Sequence, residues 1–407
     1  MLLEFRVKNF KSFKDETIFS MEATADKSHP DNVITEGKFK ALKTSVIFGA
    51  NASGKTKLIE AMGLMRGLVT RSLTHTQSTQ LPYFPFIFDD VSKNEPTTFG
   101  IKFTNEEILY DYHFSYNSEN IIDEVLKYYP KNKAATIFER HDQKFIFVND
   151  KAKQRMISEA VKENVLYLSV SSQLKYAPSQ EVFEWFQKFL VITNGDPEHL
   201  IEILIKRMES DHSFETRVLK ALRIADFGIT SLMELEGEVK NTSVKPQKSS
   251  ALSLQDVWLT HNATNKNGEN IQVELPMYEE SSGTVNFISM IGPVIDTILG
   301  GTTLVVDEID LTFHSDLSKW IIGLFHNPKE NPNGAQLIFN THDTNLLNQN
   351  LIRRDQVWFV EKNWETGTST ISSLSEFKVR KDKNIEDAYL SGRYRAVPFI
   401  SNERLME

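Results

Sequence analysis

The residues Gly49-Ala50-Asn51-Ala52-Ser53-Gly54-Lys55-Thr56 follow the spacing G-x-x-x-x-G-K-[ST]. Glycines at both ends let backbone N–H groups close around phosphate oxygens. Lys55 supplies a point charge for the terminal phosphates, and the Thr56 hydroxyl suits Mg²⁺. Lys57 adjoins the loop as a further expected cofactor contact, and a phosphate-bearing ligand with Mg²⁺ is expected here. A second chemical run is Leu304-Val305-Val306-Asp307-Glu308, an apolar strand ending in two carboxylates, which resembles a Walker B strand. Asp307 is expected to hold the metal. Glu308 is expected to act as general base on the attacking water.

These residues need elements to carry them. Four short apolar runs, Ser45–Phe48, Val165–Val170, Thr303–Val306 and Gln336–Phe339, have strand length. Their continuous hydrophobicity predicts strands covered on both faces, as in a parallel sheet. Each leads into a polar segment, so one sheet edge is expected to carry all four, since chemistry gathers beyond strand carboxyl ends in open α/β sheets. Leu58, Ile59, Met62, Met65, Leu68 and Val69 repeat at helical spacing. Residues 3–22 predict a β-hairpin or two successive strands, and 23–43 a polar loop. Aromatic-rich runs between 83 and 148 predict an antiparallel meander. Residues 176–226 read as mostly helical, broken at Pro178 and Asn194–Pro197, and 240–253 as a polar linker.

Composition narrows the function. The chain has 407 residues with 46 basic and 55 acidic side chains, a net charge of −9 that disfavours a strongly basic nucleic-acid binder. Zero cysteines exclude disulfides, Fe–S clusters, thiolate zinc and a cysteine nucleophile. Charges at Glu4, Arg6 and Lys8 interrupt any apolar leader. No uninterrupted apolar stretch reaches membrane-spanning length, so no membrane association is expected.

Lys55 and Asp307 lie roughly 250 residues apart. Two halves of one site split by a large insertion resemble the ABC-type ATPases of the SMC, Rad50 and RecF group. That resemblance implies an α/β fold with two lobes, an antiparallel meander and a compact helical insertion. It assigns further roles in chain order. Ser281 and Gly283, in Glu280-Ser281-Ser282-Gly283-Thr284, look like the signature that binds nucleotide, followed by a helical pattern containing Pro293. His342, in Asn340-Thr341-His342-Asp343, looks like the switch histidine and joins Glu308 as a catalytic candidate. Gln173 is the candidate Q-loop glutamine, sensing metal and water, with an exposed amide as the alternative. Asp310–His314 occupy the D-loop position. Asn9-Phe10-Lys11-Ser12 resembles the N-terminal N-F-[RK]-S segment, which makes Lys11 and Ser12 candidate phosphate contacts or, alternatively, part of a solvated turn.

Several stretches read together narrow the resemblance: Leu3–Phe13, Gly49–Thr56, Glu280–Thr284, Asp307–His314, Leu346–Trp358 and Tyr389–Phe399. They are similar to the bacterial AAA15/AAA21-type ATPases of abortive-infection systems, such as the AbiL and RloA proteins and the ATPase of PARIS-type defence. This likeness implies a division into 1–175 (first ATPase lobe), 176–275 (insertion and linker) and 276–407 (second lobe). It further implies a cytoplasmic bacterial protein forming a homodimer or higher oligomer, with ATP sandwiched between subunits. A separately encoded effector, a nuclease or TOPRIM-like protein, would deliver the output in response to a phage-encoded trigger. The other reading is a RecF- or Rad50-like repair ATPase acting directly on DNA.

Overall fold

The computed structural model describes residues 1–130, 133–192, 197–225, 227–234, 254–310, 314–347, 351–377 and 385–394. The linker at 240–253, residues 311–313 of the D-loop and 395–399 of the tail stretch lie outside them.

The chain opens with β1 (Leu2–Lys8) and β2 (Thr17–Ser20), an antiparallel pair. The segment expected as a polar loop instead holds a hairpin, β3 (Val33–Glu36) and β4 (Phe39–Leu42). Its strands are too short and too charged to show alternation in the sequence. β5 (Thr44–Gly49) and α1 (Lys55–Arg71) flank the phosphate loop. The meander follows as β6 (Thr97–Asn105), β7 (Ile108–Tyr116), β8 (Ile121–Tyr129), β9 (Ala135–His141) and β10 (Lys144–Phe147). Then come α2 (Lys151–Ser158), α3 (Tyr167–Gln173), α4 (Ala177–Lys188) and β11 (Phe189–Ile192). The helices α5 (Pro197–Ser210) and α6 (His212–Ile224) precede β12 (Ile229–Glu234), β13 (Val257–Thr264) and β14 (Asn270–Pro276). The remainder comprises α7 (Ser282–Gly300), β15 (Thr303–Val306), α8 (Ser315–His326), β16 (Gln336–Asn340), β17 (Val357–Lys362), β18 (Ser369–Ser373) and α9 (Ile385–Leu390).

The chain forms two compact units. The first comprises 1–193, 301–309 and 322–407, and the second 194–300 with 310–321. These boundaries follow packing and do not coincide with the motif-based division at 175 and 275. In the first unit a seven-stranded antiparallel sheet runs β10-β9-β8-β7-β6-β1-β2. A six-stranded sheet runs β11-β15-β16-β5-β17-β18, parallel except for β18. The α/β class expected from the sequence is the one observed. β5, β15 and β16 are buried at every position, which is why their sequences lack alternation. The apolar face of α1 packs into the core, where Leu58, Ile59, Met62 and Val69 are inaccessible to solvent.

The second unit contains β12-β13-β14 and the helices α5, α6 and α7. By length and composition α7 is apolar enough to cross a membrane, but more than half of it is buried, and it packs on α5 and α6. Its apolar character is therefore the character of a core helix.

Two expectations about strands fail. Val165–Val170 is not a strand, because Tyr167 begins α3. The reason lies elsewhere in the chain. Glu124 on β8 accepts the backbone N–H groups of Tyr167 (2.7 Å) and Leu168 (2.9 Å), capping the helix from outside. A short apolar run cannot by periodicity distinguish a buried helix from a strand. The converse error is β11, an apolar tetrapeptide that leaves α4 and pairs with β15 inside a region expected to be helical.

Glu124 itself is wholly buried and wholly satisfied. Besides the two backbone donors it accepts the Tyr112 hydroxyl (2.9 Å), and Arg140 lies 3.6 Å away. Arg140 spends its remaining donors on the carbonyls of Asp142, Lys162, Glu163 and Val165.

Candidate nucleotide-binding site

The parallel register aligns three carboxyl ends. Gly49 of β5 pairs with Val360 of β17, Asn340 of β16 with Ile47, and Val306 of β15 with Phe339. Three of the four expected polar segments therefore emerge on one edge. The fourth does not, because Gln173 is the exposed last residue of α3, not the end of a strand.

Between β5 and α1 the loop turns tightly. A Cβ on Gly49 would lie 2.4 Å from the Val360 carbonyl oxygen, so only glycine fits. Gly54 has φ +121°, and a Cβ there would meet the Ser369 hydroxyl at 2.8 Å. Ala52 also holds a left-handed backbone (φ 59°), a strained conformation of the kind that clusters at ligand clamps. Lys55 is buried, and its ammonium donates to the carbonyls of Gly49 (2.8 Å) and Ala50 (3.2 Å). Asn51 is exposed at the tip, whereas Ser53 is buried with an Oγ that has no hydrogen-bond partner among the described residues.

The two distant motifs meet. The Thr56 hydroxyl donates to Asp307 Oδ1 (3.1 Å), as does the Asn340 side-chain amide (2.6 Å). Asp307 Oδ2 is buried and accepts no hydrogen bond among the described residues. Burial pushes the Asp307 carboxyl above the usual aspartate range, while the hydrogen bonds from Asn340 and Thr56 pull it back. A hard oxygen left open beside a hydroxyl matches the donor chemistry that Mg²⁺ takes. Thr56 and Asp307 therefore fit the metal, but Gln173, expected as a third ligand, shows no hydrogen bond to the loop among the described residues.

Glu308 follows with a left-handed backbone (φ 53°), and its N–H donates to Asn340 Oδ1. His342 Nε2 stands 3.9 Å from Glu308 Oε1. Glu308 and His342, just beyond the ends of adjacent strands, are thus neighbours, both partly exposed.

The N-terminal turn reaches the same loop. Ser12 is buried, and its hydroxyl donates to Ser369 Oγ (2.7 Å), whose own proton is committed elsewhere. Ser369 donates to the Ser53 carbonyl (2.5 Å). Lys11 pairs with Glu60 of α1. Desolvation and the like charges of Lys362 and Lys11 lower the Lys57 pKa, with Glu60 opposing them. Asn340, Ser369 and Lys362 were missed by sequence reasoning. Asn340 had a faint signal as the first polar residue after an apolar run, and Ser369 had none.

The signature residues belong to the second unit. Ser281 caps α7, accepting the Thr284 N–H at 3.1 Å, and Ser281 and Ser282 are exposed while Gly283 is half-buried.

A phosphate loop seated on a parallel sheet, with its threonine bonded to the aspartate of a neighbouring strand, defines a P-loop nucleotide-binding protein. A family model described as "AAA domain, putative AbiEii toxin, Type IV TA system" matches residues 45–348. The chain belongs to this family of ATPase domains. No curated protein matches the chain. Among solved structures, it is similar to an SMC head described as bound to the C-winged helix domain of ScpA. That likeness is 12% identity and a TM-score of 0.42, over 95% of this chain and 99% of that one.

Proposed function

We propose that this chain binds and hydrolyses MgATP as the sensor or scaffold subunit of a bacterial anti-phage system, controlling a separately encoded toxic effector. The observation that carries the nucleotide chemistry is the Thr56–Asp307 contact beside a seated Lys55. The toxin–antitoxin description of the family supports the biological setting.

In this reading the loop N–H groups and the N-terminus of α1 hold the β- and γ-phosphates, and Lys55 transfers its hydrogen bonds from loop carbonyls to phosphate oxygens. Mg²⁺, held by Thr56 and Asp307, would neutralise developing charge on the phosphate oxygens. Glu308 orients water and takes its proton as the water oxygen attacks the γ-phosphorus and the bond to the ADP oxygen breaks. His342 bonds the γ-phosphate and reports its loss. Ser281 and Gly283 of a second copy close over the nucleotide, so ATP drives assembly and hydrolysis reverses it. A nuclease or TOPRIM-like effector and a phage-encoded trigger complete the system, in the cytoplasm.

Lys55→Ala is expected to abolish ATP binding and any protection from phage. Glu308→Gln should keep ATP affinity, lose about 10²–10⁴-fold in turnover and accumulate the closed assembly on sizing with ATP. A monomer that ignores nucleotide would refute closure by a second copy. Salt-sensitive DNA binding by the purified protein would instead favour direct action on DNA.

A further inference from the structure

Two segments that the phosphate chemistry does not use converge beside the loop. The first is the turn between β17 and β18. Lys362 pairs across the hairpin with Ser369, the residue that holds Ser12 and Ser53. Trp364, in the turn itself, is 67% exposed. The second is the segment carrying Phe84, Phe86 and Phe88. It is tied to the N-terminal turn, since Lys11 N–H donates to the Phe84 carbonyl (2.7 Å) and Phe86 N–H to Asn9 Oδ1 (3.0 Å). Both segments are thus anchored to the same turn, which Ser369 links to the phosphate loop.

Their side chains form an open array. Phe88 is 62% exposed, and its ring lies so close to Gly367 that a Cβ there would come within 2.7 Å of it. Gly367 also needs φ +72°, so the turn is shaped to admit the ring. The Lys362 ammonium stands 4.9 Å from the Trp364 ring centroid and 5.8 Å from that of Phe88. Among the described residues no carboxylate forms a salt bridge with Lys362. Exposing two large aromatic faces to water forgoes burial that stabilises most proteins, and interleaving them with cations is the pattern of a stacking platform.

We propose that Trp364 and Phe88, with Lys362 between them, form the seat for the base end of the nucleotide whose phosphates occupy the 49–56 loop. This rests on the phosphate-binding reading of that loop. The occupant is a heteroaromatic ring joined to a polyanion, which matches aromatic faces beside Lys362, Lys57 and Lys11. An apolar protein partner matches the aromatics but not the cations, and inorganic polyphosphate matches only the cations. Recognition by stacking grips a ring by its face, so it tolerates different purines.

The test uses the full chain with Mg²⁺ and compares ATP with inorganic tripolyphosphate by calorimetry. Trp364→Ala should weaken ATP roughly tenfold, in line with losses from removing a base-stacking aromatic, and leave tripolyphosphate affinity unchanged. Trp364→Phe should retain most ATP affinity, which separates stacking from a disturbed turn. Equal weakening for both ligands, or none for either, overturns the platform and leaves the phosphate loop intact as a reading. Wild-type protein that binds neither ligand overturns both.

Discussion

Two buried carboxylates in the first unit receive opposite treatment. Glu124 has both oxygens occupied by two backbone N–H groups and a tyrosine hydroxyl, with Arg140 beside them. Asp307 accepts two hydrogen bonds on one oxygen and none on the other among the described residues. Burial raises both pKa values, opposed in Glu124 by Arg140 and the hydrogen bonds. A charge that serves architecture is closed by the protein alone. Asp307 keeps one lobe without a partner among the described residues, as its proposed metal-binding role requires.

The largest expected effect sharpens this contrast. Glu124→Ala strands Arg140 in the core and should cost about 3–5 kcal/mol of stability, read as a lowered denaturant midpoint. Asp307→Asn should leave that midpoint unchanged or raised, because it removes an uncompensated charge, while abolishing the Mg²⁺ dependence of ATP affinity. Comparable destabilisation by both variants would break the contrast.

A pH titration gives the next effect. The folded-state pKa of Asp307 lies above its unfolded value of 3.8, so the folded form holds its proton longer. Below that value both states are protonated and the group contributes nothing. As pH rises from there through the folded pKa, its ionisation takes stability from the nucleotide-free protein. Metal-assisted ATP binding should move the other way, strengthening across the same window as the proton leaves. Asp307→Asn should erase both trends, which thermal melts and calorimetry at stepped pH would read.

The smallest effect probes the support of the loop. Ser369→Ala removes hydrogen bonds to Ser12 and Ser53 and should weaken ATP only severalfold, on the order of 1 kcal/mol. A loss as large as that of Lys55→Ala would mean that the hairpin, not the loop, dominates affinity.

The same contrast explains what the sequence disclosed. The phosphate loop is contiguous, with chemistry that demands particular residue types at fixed intervals, so it was legible. The position of Asp307 and Glu308 beyond a buried strand was legible because they end an apolar run. Gln173 misled because Val165–Val170 is apolar for burial as a helix, and the decisive cap, Glu124, lies on another strand. Ser369 and Ser12 meet across most of the chain, and a serine on a short strand carries no periodic signal. The meander was readable from its aromatic-rich runs with turn-like residues between them, while β3 and β4 were too brief to declare themselves.

The position of Lys55 has a consequence for anion exchange. Its ammonium rests on the carbonyls of Gly49 and Ala50, so the loop's own dipoles already meet part of its charge. An arriving triphosphate must therefore win an exchange of acceptors. Buffer sulfate or phosphate, offering less in return, makes a poor substitute.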